Sequence, residues 1–193
     1  VAPPASAYSK FLKNLKTYCG EELKEVFENL VKYMYDNLQD FGEYLAIDGK
    51  AVQSYATNYS KETKEDGRRD TDANWGTKKY TTSVNSKGEV VTNKVTWFGY
   101  TVHLVVDAKY ELPVTFKVTP ASNSEQKEAK EILKVMHEEQ LERCKYFLAD
   151  KGYDDTKIIE YLKEKDIAAI IDIRNMWKDG EETKQYKDTD VVY

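Results

Sequence analysis

Apolar residues recur at three- and four-residue spacing through the first forty positions. Tyr8, Phe11, Leu12, Leu15 and Tyr18 predict one amphipathic helix, with Gly20 placed to cap its end. Leu23, Val26, Phe27, Leu30, Val31, Met34 and Leu38 predict a second, and Glu21 and Glu22 in its first turn favour the helix dipole. Neither polar face is rich in the Arg or Gln that reach base edges, so residues 1–40 read as a helical scaffold arm rather than a helix-turn-helix reader. From Tyr44 the pattern shortens. Tyr44-Leu-Ala-Ile-Asp-Gly-Lys-Ala-Val52 predicts a buried strand, and mixed charge without periodicity from Ser54 to about Trp75 predicts a mobile surface loop. Lys79 to Val84 and Glu89 to Trp97, split by Asn85-Ser-Lys-Gly88, predict a hairpin.

Phe98 to Asp107 predicts a strand that pairs with Leu112 to Pro120 through the turn Ala108-Lys-Tyr-Glu111. A helix follows from Ser124 to Glu139, capped by Ser122 or Ser124 and turning Ile132, Leu133, Val135 and Met136 inward. Next come a short strand ending at Asp150, a helix from Asp154 to Lys165, and the almost unbroken apolar run Ile167-Ala-Ala-Ile-Ile-Asp-Ile173, which suits a parallel strand covered on both faces. Beyond Asn175 the chain is polar until Asp190-Val-Val-Tyr193, where a new β-type run begins and the sequence stops. Right-handed crossovers would return the later strands parallel to the first. The expected architecture is α/β: a ribonuclease-H-like mixed five-stranded sheet flanked by helices, spanning residues 41–193, with an N-terminal helical arm. A polar loop and hairpin are inserted at about residues 54–96.

The chain has 193 residues, of which 40% are hydrophobic and 33% charged, enough for one substantial core. The net charge of −5 argues against a general polyanion binder but not against a local basic face. Val1-Ala-Pro-Pro-Ala lacks the basic start and apolar core of a signal peptide, and no apolar run is long enough to span a membrane, so a cytoplasmic protein is expected. Cys19 and Cys144 have no metal-site spacing and read as reduced, buried thiols.

Chemistry concentrates in two acids. Asp48 lies inside an apolar run, where an unpaired buried carboxylate is costly, and Asp150 ends another such run at a Gly-containing turn. If these runs are neighbouring parallel strands, the carboxylates converge and suit a hard divalent cation such as Mg2+. Taken alone, Asp48-Gly49 also reads as a hairpin turn. His103 in mid-strand reads as a satisfied core residue, His137 as an exposed helix side chain, and Asp154 and Asp155 as helix caps. Lys78, Lys79, Lys87 and Lys94, near Tyr80 and Trp97, suit a phosphate backbone or a solvated hairpin face. Lys50 can neutralise a phosphate at its strand's exit, and Tyr153 and Arg174 leave strands on the same edge as further DNA contacts.

Four blocks in order, Ala46-Ile-Asp-Gly-Lys50, Trp97-Phe-Gly-Tyr-Thr-Val-His-Leu-Val-Val-Asp107, Leu112-Pro-Val-Thr-Phe-Lys-Val-Thr-Pro-Ala121 and Leu148-Ala-Asp-Lys-Gly-Tyr-Asp154, resemble the catalytic core of bacterial insertion-sequence transposases of the DDE type. The resemblance runs from about Tyr44 to Asn175. It implies that Asp48 and Asp150 are the first two acids of a triad. It further implies Mg2+ (or Mn2+) as cofactor, with Asp48 bridging two ions and Asp150 holding one, for phosphodiester hydrolysis and strand transfer. DNA, as transposon ends and target, is the implied partner, with a homodimer of the full-length protein acting near the nucleoid. The family's third acid is a Glu on a later helix behind a Tyr and an Arg. Glu160, Glu164, Glu181 and Glu182 do not stand in that context, and Asp172 reads as ordinary strand. The chain is therefore expected to be a core that stops before its third acid and is catalytically weak or inactive. The rivals are a hydrolytic nuclease of the same fold and a non-catalytic DNA- or partner-binding module.

Overall fold

The computed structural model describes residues 3–56, 70–84 and 90–172. The chain divides into two compact units, Val1–Phe41 and Gly42–Tyr193. The first holds α1 (Ala5–Tyr18) and α2 (Gly20–Asn37). Gly20 opens α2 rather than closing α1; Cys19 is the junction, its amide bonded to the Leu15 carbonyl and its carbonyl to the Leu23 amide. Tyr35 packs edge-on against the buried Phe41 ring, with centroids 5.0 Å apart.

In the second unit, β1 (Tyr44–Gln53) alternates strictly at its start: Leu45, Ile47 and Gly49 are buried, whereas Asp48 and Lys50 are exposed. The pleat sends successive side chains to opposite faces. The expectation that Asp48 is buried is thereby corrected, because what looked like one apolar run is a two-faced strand. The Asp48-Gly49 turn is also excluded, since both residues lie in mid-strand opposite Leu104 and His103.

Among the described residues one six-stranded sheet forms, with β2 (Asn74–Val84), β3 (Val90–Asp107), β4 (Leu112–Pro120), β5 (Tyr146–Ala149) and β6 (Ala168–Ile171) joining β1. The five expected strands run β4-β3-β1-β5-β6, with β1–β3 and β3–β4 antiparallel and β1–β5 and β5–β6 parallel. This mixed α/β architecture is compatible with the ribonuclease-H-like fold. The sixth strand arises because the anticipated hairpin strand and its successor are one continuous β3, whose first half pairs with β2 and whose second half lies between β1 and β4. Gly99 makes that continuity possible. Its φ of 150° suits glycine, and a Cβ there would collide with the Val52 carbonyl and the Ser54 amide.

On one face of the sheet pack α3 (Glu125–Val135), a 3-10 turn (Lys151–Tyr153) and α5 (Thr156–Glu164), burying Ile132, Leu133, Tyr153, Ile158 and Leu162 against Leu45, Val105 and Phe147. The helix expected to reach Glu139 breaks at Met136 and His137, both extended, and α4 (Glu138–Arg143) starts afresh with the Gln140 side chain accepting the His137 amide. The other face is more open: Asp48 pairs with Leu104 and Leu104 with Phe116, and all three are exposed. Asp107, at the end of β3, is fully buried, and its carboxylate accepts the amides of Gly42, Lys109 and Tyr110 at 2.7, 2.9 and 2.7 Å. Both cysteines are free, and burial pushes the Cys144 thiol up to about 11. Among the described residues no helix is long and apolar enough to cross a membrane.

Candidate active site

The parallel ladder between β1 and β5 ends with Ile47 opposite Ala149, and the next residues on the two strands are Asp48 and Asp150. On the third strand Ile171 stands opposite Ala149, and its next residue is Asp172. Three adjacent strands thus each carry an aspartate one step beyond a shared row, Asp48 within β1 and the other two just past the ends of β5 and β6. Asp48 and Asp150 are exposed, and each accepts a hydrogen bond from a nearby backbone amide: Gly49 N at 2.7 Å and Gly152 N at 2.8 Å. An open hollow of about 530 Å³ at Asp150 is lined also by Ala46, Leu148, Ile170 and Asp172, among others.

A third carboxylate enters from the helical side. Glu125 opens α3 immediately after its N-cap, Ser124, a position that favours an acid on dipole grounds alone. Its Oε2 and the Asp150 Oδ1 lie 2.5 and 2.7 Å from the point where a Cβ on Gly152 would sit. Its Oε1 lies 3.1 Å from the corresponding point on Gly49, with the Tyr153 hydroxyl at 3.3 Å and a Thr101 methyl at 3.4 Å. Two glycines, one after each aspartate motif, therefore leave the space into which Glu125 folds. Lys78 Nζ from β2 sits 3.0 Å from Glu125 Oε1 and donates to the Gly49 carbonyl at 3.4 Å. Nothing in the pattern of α3 distinguishes Glu125 from any first-turn acid; only the bare backbone at Gly49 and Gly152 would have marked the place.

Tyr153 departs from the expectation that it contacts DNA. It is 1% exposed, and its hydroxyl is buried without a hydrogen-bond partner. Burial, and then the charges of Glu125, Asp48 and Asp150, push its phenol far above its ordinary range, so it remains a proton donor facing carboxylates. Trp97 is likewise buried, its Nε1 donating to the Tyr100 carbonyl at 3.1 Å, and it offers no stacking surface. Lys50 is exposed two residues beyond Asp48 on the same face. Lys79 pairs across the hairpin with Lys94, while its side chain lies outside the described residues, as do Lys87, Arg174, Glu181, Glu182 and the final β-type run.

A second polar cluster lies close by. His103, 0% exposed, shares a hydrogen bond of 3.1 Å with the Thr119 hydroxyl, and burial holds its pKa below the ordinary value. Glu128, 3% exposed, is paired with Lys117 at 2.7 Å and accepts from Asn123 at 2.9 Å. Burial alone would raise its carboxyl, but the bonds from Lys117 and Asn123 outweigh it and hold the group below the ordinary carboxylate range. Asp155 caps α5, as anticipated, by accepting the Lys157 amide at 2.9 Å. Its pairing with Lys130 at 2.8 Å lowers its pKa.

Among the described residues no three His, Cys, Asp or Glu side chains are gathered closely enough to hold a metal ion as they stand. The donors nevertheless fit a hard divalent cation in kind: only carboxylate oxygens, a cradle at Gly152 that a side chain would fill, and an orphaned buried hydroxyl facing them. A family model described as a transposase DDE domain matches residues 44–190. Neither the curated proteins nor the solved structures contain a match.

Proposed function

The chain belongs to the transposase DDE domain family, and from that premise we propose that its site serves metal-dependent cleavage of DNA phosphodiesters and transfer of the cut strand, as in insertion-sequence transposition in bacteria. The observation that carries this reading is the parallel pairing of β1 with β5, which makes Asp48 and Asp150 the next residues on adjacent strands where their ladder ends. Ligands commonly bind beyond the carboxyl ends of parallel strands such as β5.

Asp48 and Asp150 are the residues that would hold Mg2+ or Mn2+; both are exposed, and the Oδ1 of each accepts a backbone amide. When bound, the ion polarises the scissile phosphate and eases formation of the attacking and leaving oxyanions. The chain's own contribution is to fix the carboxylates on two rigid strands and to bring cations alongside. Lys50 stands two residues from Asp48 to meet a phosphate. On the hairpin, Lys79 and Lys94 are register partners across the ladder, which puts two basic residues at one level of it. Two aspartates alone hold one ion weakly and a second less well, so strand transfer that rests on them alone is expected to be weak. A homodimer acting on paired transposon ends in the nucleoid-bearing compartment fits this chemistry.

The test is incubation with pre-cleaved element ends and a target plasmid in Mg2+ or Mn2+. Joined products that vanish in Asp48→Asn and Asp150→Asn support a transposase; cleavage without joining identifies a nuclease. DNA binding that is unchanged in both variants and indifferent to divalent metal, with no cleavage at all, identifies a non-catalytic module.

A further inference from the structure

The helical arm carries more apolar surface than it covers. In α1, Tyr8, Phe11, Leu15 and Tyr18 stand at intervals of three, four and three, and in α2 Leu23, Val26, Leu30 and Tyr33 repeat the same intervals. That is the a/d spacing of a seam between helices, two heptads long in each. Both seams stay open. α1 buries no residue, α2 buries only Val31, and every seam residue except Leu15 is 44–75% exposed. On α2, Phe27, Val31 and Met34 form a separate stripe that is better covered, so the outer seam is not needed to pack the helix within its own chain. A side chain of this size, half exposed, offers roughly 100 Å². The two seams together therefore present on the order of 800 Å² per chain, the share each partner gives to a stable interface.

The two seams cannot close on each other within one chain. Cys19 is the single residue between α1 and α2, whereas helices that fold back side by side need a loop of about 2–5 residues. Charge points to an exchange between chains. α1 carries Lys10, Lys13 and Lys16 and no acid, a formal +3; α2 has five acids between Glu21 and Asp36 against Lys24 and Lys32, a formal −3. Setting α1 on α1, or α2 on α2, brings like charges together at a range where solvent screens them only in part. Setting α1 on the α2 of another chain joins opposite signs. A two-fold operation makes that contact twice and closes the assembly at two copies.

We infer that the arm is the interface of a homodimer, in which α1 of each chain lies along α2 of the other. The inference rests on the homodimer in the functional reading above and supplies the surface for it. The carboxylates of β1 and β5 take no part, so pairing of the chains and chemistry on DNA can fail separately.

The experiment is sedimentation equilibrium of the 193-residue chain over a concentration series, with circular dichroism to confirm that each variant is helical. The unaltered chain is expected to shift from monomer to dimer as concentration rises. Phe11→Glu and Leu30→Glu, each at an exposed seam position, are expected to weaken the dimer by on the order of 30-fold. Lys10→Glu, Lys13→Glu and Lys16→Glu together set two acidic helices against each other and should weaken it by about 10-fold or more at low salt. Adding Glu21→Lys, Glu25→Lys and Glu28→Lys to that chain exchanges the two formal charges and should bring the dimer back. Pairing of α1 with α1 and α2 with α2 would show neither the loss nor the rescue. The proposal is overturned by a chain that stays monomeric at every concentration, which would assign the seams to a different partner, or by assemblies larger than two. A dimer indifferent to Phe11→Glu and Leu30→Glu, or charge reversal without rescue, overturns it as well. A monomer that still joins DNA ends would sink this inference alone. A dimer of the expected kind that neither binds Mn2+ nor cuts DNA would sink the chemistry and leave the role of the arm in place.

Discussion

Two glutamates one turn apart on α3 have opposite fates. Glu128 is 3% exposed, paired with Lys117 from β4 and bonded by Asn123, so its charge is held by two partners. Glu125 is paired with a lysine as well, but it stands at an open edge beside another carboxylate and an unpartnered hydroxyl. The same contrast repeats among the aspartates. Asp107 is fully buried and accepts three backbone amides, whereas Asp48 and Asp150 are exposed with mostly local backbone bonds. An acid that builds the fold uses up its lone pairs inside the protein; an acid kept for a ligand leaves them available.

The sharpest way to break this division is to swap the phenotypes. Asp48→Asn and Asp150→Asn are expected to abolish DNA joining while leaving the denaturation midpoint unchanged. Asp107→Ala should do the reverse to stability, costing about 3 kcal/mol because one buried and two part-buried amides lose a charged acceptor. Urea denaturation alongside the joining assay checks both. A stability loss in the two exposed variants as large as in Asp107→Ala would erase the distinction.

Within α3 the expected contrast is smaller. Glu128→Ala should cost about 2 kcal/mol, since Lys117 and Asn123 lose a charge-assisted bond at a buried site. Glu125→Ala should change stability by about 0.5 kcal/mol or less, the range for a partly exposed ion pair. Equal losses would make Glu125 another structural acid.

Acid sensitivity follows from the structural cluster. Because burial lowers the pKa of His103 from its ordinary 6.5, the native state favours the neutral ring; that contribution is complete above 6.5 and is lost as pH falls through the lowered value. Glu128 is held below its ordinary 4.5, so its contribution is complete above 4.5 and disappears at still lower pH. Stability should therefore decline in two stages below pH 6.5. The later stage is expected to shrink in Glu128→Gln, the remainder resting on Asp155, whose carboxyl Lys130 also holds down, measured by denaturation midpoints across pH 3 to 8 at fixed ionic strength. Glu125→Gln should leave both stages in place.

Much of this architecture is legible in the chain. The period-two and period-3.6 patterns locate β1, β4, α3 and α5, and the order of elements places Asp48 and Asp150 on neighbouring parallel strands, as the registers bear out. What escapes the pattern depends on glycines and on faces. The chain reads as two strands that break between Trp97 and Phe98, yet the unusual φ of Gly99 carries β3 through as one strand. Leu45-Ala-Ile-Asp reads as a single apolar run because alanine is neutral to either face, which hid the exposure of Asp48. Glu125 has no local signature because its neighbours, Gly49, Gly152 and Lys78, are distant in sequence and meet only in the folded sheet.

The gentlest way to sharpen the comparison sets Gly152 against Gly99, the one beside the carboxylates and the other in the sheet. An alanine at Gly99 requires a strained φ and a collision with backbone, so it should be destabilising by more than about 1 kcal/mol. At Gly152 the φ is ordinary, and the added Cβ meets only the flexible ends of Glu125 and Asp150. Those ends can move apart, and restricting the unfolded chain offsets some of the crowding, so Gly152→Ala should keep stability within about 0.5 kcal/mol. Displacing the Asp150 carboxylate without removing its charge should still weaken Mn2+ binding several-fold, on the scale that small displacements of metal-supporting groups produce. Unaltered Mn2+ affinity in Gly152→Ala would mean that the placing of Asp150 does not govern metal binding, and the line drawn between the exposed and the buried aspartates would then have to be drawn elsewhere.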